Sequence, residues 1–222
     1  MVYAAIDPSY SRTGLCILHN NTFIFVPISP EGKNQSYSDE ITRARAIAAE
    51  VYGRLSFCKI YDLACDKQQD KAAVVKLLIE EPMISSFKAS SLGVLSGVLI
   101  TSIINTELVN EIYTVNPNTI RQLNSAVSNK EKVTKKQLSL KVANEILEYL
   151  QSLGFKVVLE KSEKRKRKLS HDEAEAFLLL LLLLNYEQYF SKEIWTKIVS
   201  IHKGYNKNVK INKLKIEMQE VA

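Results

Sequence analysis

The sequence predicts an α/β or α+β protein built on a mixed sheet. Three observations carry that expectation. The chain opens with three short apolar runs, the second and third of which flank a turn. Further along, buried-strand runs alternate with helical periodicities. Hydrophobic residues make up 46% of the 222 residues, enough apolar material for the core of one domain, with or without an extension.

Residues 2–6 (Val-Tyr-Ala-Ala-Ile) form a nearly continuous apolar run closed by Asp7-Pro8-Ser9, the pattern of a strand buried on both faces. Residues 14–18 and 22–26 flank His19-Asn20-Asn21 and read as a hairpin. A polar loop over residues 27–39 follows. Residues 39–57 predict a helix with Ile41, Ala44, Ile47, Ala48, Val51 and Leu55 on one face. Residues 73–79 predict a second buried strand, stopped by Glu80-Glu81-Pro82. Residues 86–105 predict a helix whose Ser90, Gly93, Ser96 and Gly97 permit close packing. Residues 111–115 read as a strand, 118–124 as a short helix, and 134–150 as an amphipathic helix bearing Leu138, Val142, Ile146 and Leu150. Residues 154–159 read as a short strand or the end of that helix. Ser170 and Glu173 have the spacing of a capping box, which starts a helix running to Tyr189. The rest is Lys-rich, with a helical pattern at Ile194, Ile198 and Ile201.

Composition excludes several classes. Seven Gly and five Pro leave no room for collagen-like or Pro/Gly-rich disordered chains. The three cysteines, Cys16, Cys58 and Cys65, fit neither a disulfide scaffold nor a Cys zinc site, and suggest a reducing compartment. The expected location is the cytoplasm of a bacterial or phage-infected cell. The start lacks a basic leader, and the longest apolar run, residues 177–184, is far short of the ~20 residues of a membrane span. No membrane partner is expected. The formal charge of +6 permits a polyanionic partner.

Acidic residues stand at the ends of apolar elements. Asp7 follows the first strand and Glu80 the fourth. Asp172 and Glu175 lie three apart, on one face of a helix start. Each has an ordinary reading: a turn former, a solvated strand end, acids favouring a helix N-terminus. Together they suggest more. If the two strands are neighbours, their ends bring Asp7 and Glu80 together, and a nearby helix start adds the other two. Four carboxylates repel unless cations neutralise them, and hard oxygen ligands suit Mg²⁺ or Mn²⁺. Two such ions clamp an in-line phosphodiester displacement.

Ala5-Ile6-Asp7-Pro8-Ser9, with Thr13-Gly14, resembles the first motif of RuvC-type Holliday junction resolvases, nucleases of RNase H-like (retroviral integrase superfamily) fold. Leu78-Ile79-Glu80-Glu81-Pro82 is similar to their second motif. Residues 130–138, with several lysines opening a helix, are similar to a DNA-contacting segment. His171-Asp172-Glu173-Ala174-Glu175-Ala176 resembles their last motif. The order and rough spacing match from residue 2 to about residue 184. The resemblance implies an α/β, RNase H-like mixed sheet of about five strands flanked by helices over residues 1–190, with 191–222 a Lys-rich C-terminal extension. It implies Asp7, Glu80, Asp172 and Glu175 as the catalytic, metal-binding set, holding two Mg²⁺ ions (Mn²⁺ as substitute) and no small-molecule cofactor. It implies a four-way DNA junction as substrate and a homodimer as the working form, since a junction is two-fold symmetric. The last acid of the family is usually Asp, whereas this chain has Glu175. His171 is a candidate ligand or proton carrier, with an ordinary helix-start histidine as the alternative. Glu81 is the alternative to Glu80.

Two basic clusters border these motifs. Lys164, Arg165, Lys166, Arg167 and Lys168 immediately precede the acidic helix, and Lys130, Lys132, Lys135 and Lys136 lead into the amphipathic one. Either is a solvated charge run or a phosphate-binding surface whose affinity falls with salt. The helix over 86–105 is the expected dimer contact, and Phe87 and Lys88 are candidates for the branch point. Three other functions remain open. One is an RNase H-like nuclease acting on other branched DNA or on RNA–DNA hybrids. Another is a non-catalytic junction-binding protein. A sugar-kinase or actin-like ATPase ranks last, because such proteins need more Gly and usually a second domain.

Overall fold

The computed structural model describes residues 1–9, 11–29, 37–65, 74–81, 89–104, 108–116, 134–160, 168–205 and 219–220. Seven strands form one sheet in the order β6-β3-β2-β1-β4-β5-β7. The first three are β1 (Val2–Asp7), β2 (Thr13–His19) and β3 (Thr22–Ile28), an antiparallel meander. Asn20 and Asn21 take positive φ of 47° and 55° between the paired residues His19 and Thr22. A two-residue hairpin needs that left-handed conformation at both positions, and Asn tolerates it better than most side chains.

Helix α1 (Tyr37–Cys65) then crosses to β4 (Val75–Glu80), which lies parallel to β1 on its other side. Helix α2 (Ala89–Ile104) crosses to β5 (Glu111–Val115), parallel to β4. The resulting central order, 3-2-1-4-5 with β2 antiparallel to the rest, is the RNase H-like mixed sheet that the sequence motifs imply. Two strands extend it beyond five. The short β6 (Lys156–Leu159) adds parallel to β3 at one edge, and β7 (Gln219–Glu220) adds antiparallel to β5 at the other. The short helix expected over 118–124 lies outside the described residues.

Two apolar layers cover the sheet. On one face α1 and α2 pack on Val2, Ala4, Ile6, Ile17, Leu77 and Ile79. α1 does so with a stripe of Ala44, Ile47, Ala48, Val51, Leu55 and Cys58 buried at helical spacing, and it runs on to Cys65, about two turns beyond its expected end at Phe57. The other face holds α3 (Lys135–Ser152), α4 (His171–Tyr186) and α5 (Lys192–Tyr205). α4 is leucine on every side because it is enclosed on every side: it lies on β1 and β2 with α3 against it, and residues 176–184 are all buried. Phe177 meets Phe23 and Phe25 at ring centroids of 5.3 and 5.7 Å. Complete burial of each such ring contributes about 2 kcal/mol. α5 packs on α3 and places Ile198, Val199 and Ile201 in the same core.

α3 starts in a capping box, with Thr134 N–H donating to Gln137 Oε1 at 2.9 Å. It ends where Gly154, at φ 94°, donates to Gln151 O and Phe155 donates to Leu150 O, the two bonds of a Schellman motif. That left-handed glycine turns the chain directly into β6. No helix among the described residues is long and apolar enough to cross a membrane.

Candidate active site

The strand register brings the first two acids together. β1 and β4 run parallel with Ile6 beside Ile79, so Asp7 and Glu80 end neighbouring strands at one level. Side chains alternate along a strand. Tyr3 and Ala5 face the α4 layer, and so does Leu78 of β4, so Asp7 and Glu80 point there as well. Their carboxyls are within hydrogen-bond reach of each other.

The N-terminus of α4 supplies the other two. Ser170 caps it: the Ser170 Oγ accepts from Glu173 N–H at 3.3 Å, and Ser170 N–H donates to Glu173 Oε2 at 3.0 Å. Glu173 is thus a fully buried structural acid, committed to the cap. Asp172 and Glu175, on the neighbouring positions of the turn, are left to face β1. Helix and strand approach so closely here that a methyl group on Gly14 would sit 2.1 Å from the Asp172 carbonyl oxygen. Gly14 is also the residue paired with Asp7 across β1 and β2. The Thr13-Gly14 of the first motif therefore has a spatial meaning: its missing side chain admits the backbone of the last motif. Thr13, fully buried, donates from Oγ1 to Ser9 O at 2.7 Å and accepts from Ser9 N–H at 3.1 Å, which closes the turn after Asp7.

Electrostatics follow from this geometry. Burial raises the Asp7 carboxyl well above its ordinary value of 3.8, and the charges of Glu80, Glu175 and Asp172 add to the rise. Glu175 is also raised, mainly by burial, against the opposing pull of Lys136. Asp7 thus stands close to both Glu80 and Glu175. Carboxyls crowded in this way hold a proton more readily than isolated acids do.

α3 leans on the cluster from the side. Lys136 Nζ lies 3.6 Å from Asp172 Oδ1, though it is itself exposed, and Ser139 Oγ lies 3.5 Å from Glu175 Oε1. Sequence reading missed Ser139. The signal was there: Lys136 and Ser139 are three apart and so share a helix face. Glu81 is turned away, accepting from Thr114 Oγ1 at 2.6 Å while its N–H donates to Val115 O. His171 is half-buried at the first position of α4, Lys168 is exposed just before it, and Lys135 opens α3. Lys130, Lys132, Lys164, Arg165, Lys166 and Arg167 lie outside the described residues, as do Phe87 and Lys88.

Among the described residues no three acidic, His or Cys side chains already close around a single point. The donor set nonetheless suits a hard divalent cation: four carboxylates from three chain segments, opposed among the described residues by the exposed Lys136.

Fold and site together define an RNase H-like domain with a carboxylate cluster at the carboxyl ends of its central strands. No family model matches the chain, and no curated protein does. Among solved structures the chain is similar to RuvC of T. thermophilus in complex with a Holliday junction substrate, at 18% identity and a TM-score of 0.49, over 85% of this chain and 96% of that one. It is similar to the yeast mitochondrial Holliday junction resolvase Ydc2 at 11% identity and 0.44, over 95% and 83%. It is also similar to the Mn-soaked, inhibitor-bound human cytomegalovirus terminase nuclease domain at 12% identity and 0.43, over 82% and 81%. The fold assignment stands on the strand order and directions themselves.

Proposed function

We propose that this chain is a Mg²⁺-dependent endodeoxyribonuclease that resolves four-way DNA junctions by symmetric strand cleavage. The observation that carries the reading is the meeting of Asp7, Glu80, Asp172 and Glu175, which are far apart in sequence, around a buried and raised Asp7. A protein gains nothing in stability from assembling like charges. Such a cluster makes physical sense when cations and a polyanionic substrate complete it.

In this reading Asp7, Glu80, Asp172 and Glu175 hold the ions. Bound divalent cations supply Lewis acidity and charge neutralisation at a phosphodiester. The chain's own part is to fix the donors. Asp7 and Glu80 are held by the sheet, Asp172 and Glu175 by the capped first turn of α4, and Glu175 also by Ser139. Water adds to phosphorus and the bond to the 3′ oxygen breaks, leaving a 5′-phosphate and a 3′-hydroxyl. Lys136 and Lys168, exposed beside the acids, offer phosphate contacts, joined by Lys130, Lys132, Lys135, Lys164, Arg165, Lys166 and Arg167. Two cuts on a two-fold substrate call for a C2 dimer. The exposed Gly97, Thr101 and Ile104 of α2, beside its buried Leu95, Leu99 and Ile103, are its candidate interface.

The test is cleavage of synthetic four-way junction, flap, duplex and RNA–DNA hybrid substrates at fixed salt, with Mg²⁺, with Mn²⁺ and with EDTA. Metal-dependent, paired nicks in the junction alone are expected. Cleavage restricted to hybrids reassigns the substrate, and junction binding without cleavage in either metal refutes the enzyme.

A further inference from the structure

One charged side chain on the turn between β1 and β2 is unexplained by packing or by the acidic set. Arg12 stands one residue before β2 and two before Gly14, the partner of Asp7 across the sheet. At the rise of an extended chain that places its backbone roughly 7 Å beyond the Asp7 level, past the carboxyl end of β1. It is half-buried, yet its Nε is buried without a hydrogen-bond partner. The molecule does satisfy a comparable arginine elsewhere: Arg54, also half-buried, bonds Glu50 at 2.8 Å and also bonds Glu160. The Arg12 Nε, by contrast, has no such partner.

A buried guanidinium N–H with no acceptor is costly unless an acceptor arrives from outside. The turn that carries Arg12 is preformed. Thr13 ties it to Ser9 with two hydrogen bonds, and the Ser9 and Ser11 hydroxyls stand exposed, 3.0 Å apart. A permanently charged fork whose Nε–H lacks an acceptor, with a pair of serine hydroxyls on the same turn, is the chemistry that grips a tetrahedral anion side-on.

We propose that Arg12, with Ser9 and Ser11, binds a backbone phosphate of the nucleic-acid strand next to the one presented to the carboxylates. The inference rests on the nuclease reading and adds a strand-holding contact to it. Arg12 is a binding residue here. It sets where the strand lies relative to Asp7 and Glu80 and takes no part in the bond changes.

The test is fluorescence anisotropy of a labelled four-way junction in EDTA, over a series of salt concentrations, with the full-length wild-type, Arg12→Gln and Arg12→Lys proteins. Arg12→Gln is expected to bind about tenfold more weakly at low salt, with a log–log salt slope reduced by about one, the signature of one lost phosphate contact. Arg12→Lys is expected to keep the wild-type slope but bind several-fold more weakly, because an ammonium lacks the side-on fork. Melting temperatures are read alongside. A wild-type slope in Arg12→Gln overturns the proposal. So does a lowered melting temperature in both variants with no slope recovered by lysine, since that marks a packing residue. A wild-type protein that binds and cleaves junctions while Arg12→Gln keeps its slope removes Arg12 alone. A wild-type protein that binds no nucleic acid removes the nuclease reading and this contact together.

Discussion

Replacing Gly14 by Ala tests the geometry of the whole site with one methyl group. The added Cβ falls 2.1 Å from the Asp172 carbonyl oxygen and 2.9 Å from Glu173 N, both main-chain atoms that cannot swing aside. Ordinary contact begins at 3.4 Å, so the shortfall is about 1.3 Å. The strand cannot yield, because Gly14 lies between β1 and β3 in a fully paired meander. The helix must therefore retreat by about an ångström, and it carries Asp172 and Glu175 away from Asp7 and Glu80. Overpacking of this kind costs roughly 1–3 kcal/mol of stability, and an ångström of misplacement at reacting groups costs about 100-fold in rate. The assay is single-turnover junction cleavage in Mg²⁺ beside a thermal melt. Expected is a folded protein with a melting temperature a few degrees lower and cleavage down by about 100-fold. A Gly14→Ala variant that cleaves within threefold of wild type shows that the closeness of α4 and β2 does not set the position of the acids, and the reasoning fails.

Asp7→Asn is expected to lose cleavage by more than about 1,000-fold while keeping junction affinity, measured on the same labelled substrate. The same variant has a stability signature. Asp7 is raised in the folded state above its ordinary 3.8, so its favourable share is full below that value and is lost as pH rises through the folded pKa. In EDTA, wild type is expected to lose melting temperature relative to Asp7→Asn as pH rises above 3.8 and through the raised Asp7 pKa, and Mg²⁺ is expected to close the gap; parallel curves would contradict the raised Asp7. His202 of α5 has the opposite sense. Burial lowers it from 6.5 to about 4, so its stabilising share is full above 6.5 and is lost on acidification toward 4, by up to about 3 kcal/mol. His202→Phe should flatten the acid limb of the urea-derived stability curve. Lys76→Met should destabilise the fold by about 2 kcal/mol, with unchanged cleavage per folded molecule, because Lys76 bonds Glu111 and Glu187 at the end of the sheet away from the acids.

What could be read from the sequence was local. The hairpin at Asn20-Asn21, the capping box at Ser170 and the buried run of β1 each state their structure within a few residues. The acids were legible for the same reason, since each stands where an apolar run ends. Pairings between distant segments carry no such mark. β6 docks beside β3, and nothing in Lys156–Leu159 names that partner. The two residues of β7 are held by their register on Tyr113 and Thr114 rather than by any pattern of their own. α1 runs to Cys65 because no helix-stopping residue intervenes after Phe57, where the periodic apolar face fades. That Glu80 faces Asp7 while Glu81 bonds Thr114 follows from strand alternation, which sequence states only once the register of β4 on β1 is known.

A contrast within one helix argues that the acidic cluster is there for function. α4 spans the sheet, its first turn over the carboxyl ends of β1 and β4 and its last over their amino ends. Charges meet it at both ends. At the last turn, Lys76 Nζ sits 3.0 Å from Glu111 and 2.6 Å from Glu187, and the Tyr113 hydroxyl donates to the same carboxylates. Opposite charges and donors complete one another there, and Glu111 is lowered accordingly, chiefly by the Tyr113 hydrogen bond. At the first turn four carboxylates face one another, with exposed Lys136 for relief, and Asp7 is raised. Among the described residues, the same helix thus carries one cluster built of opposite charges and one built mainly of like charges. Removing a charge from the first should loosen the fold. Removing one from the second should tighten it in the absence of metal and silence it in its presence.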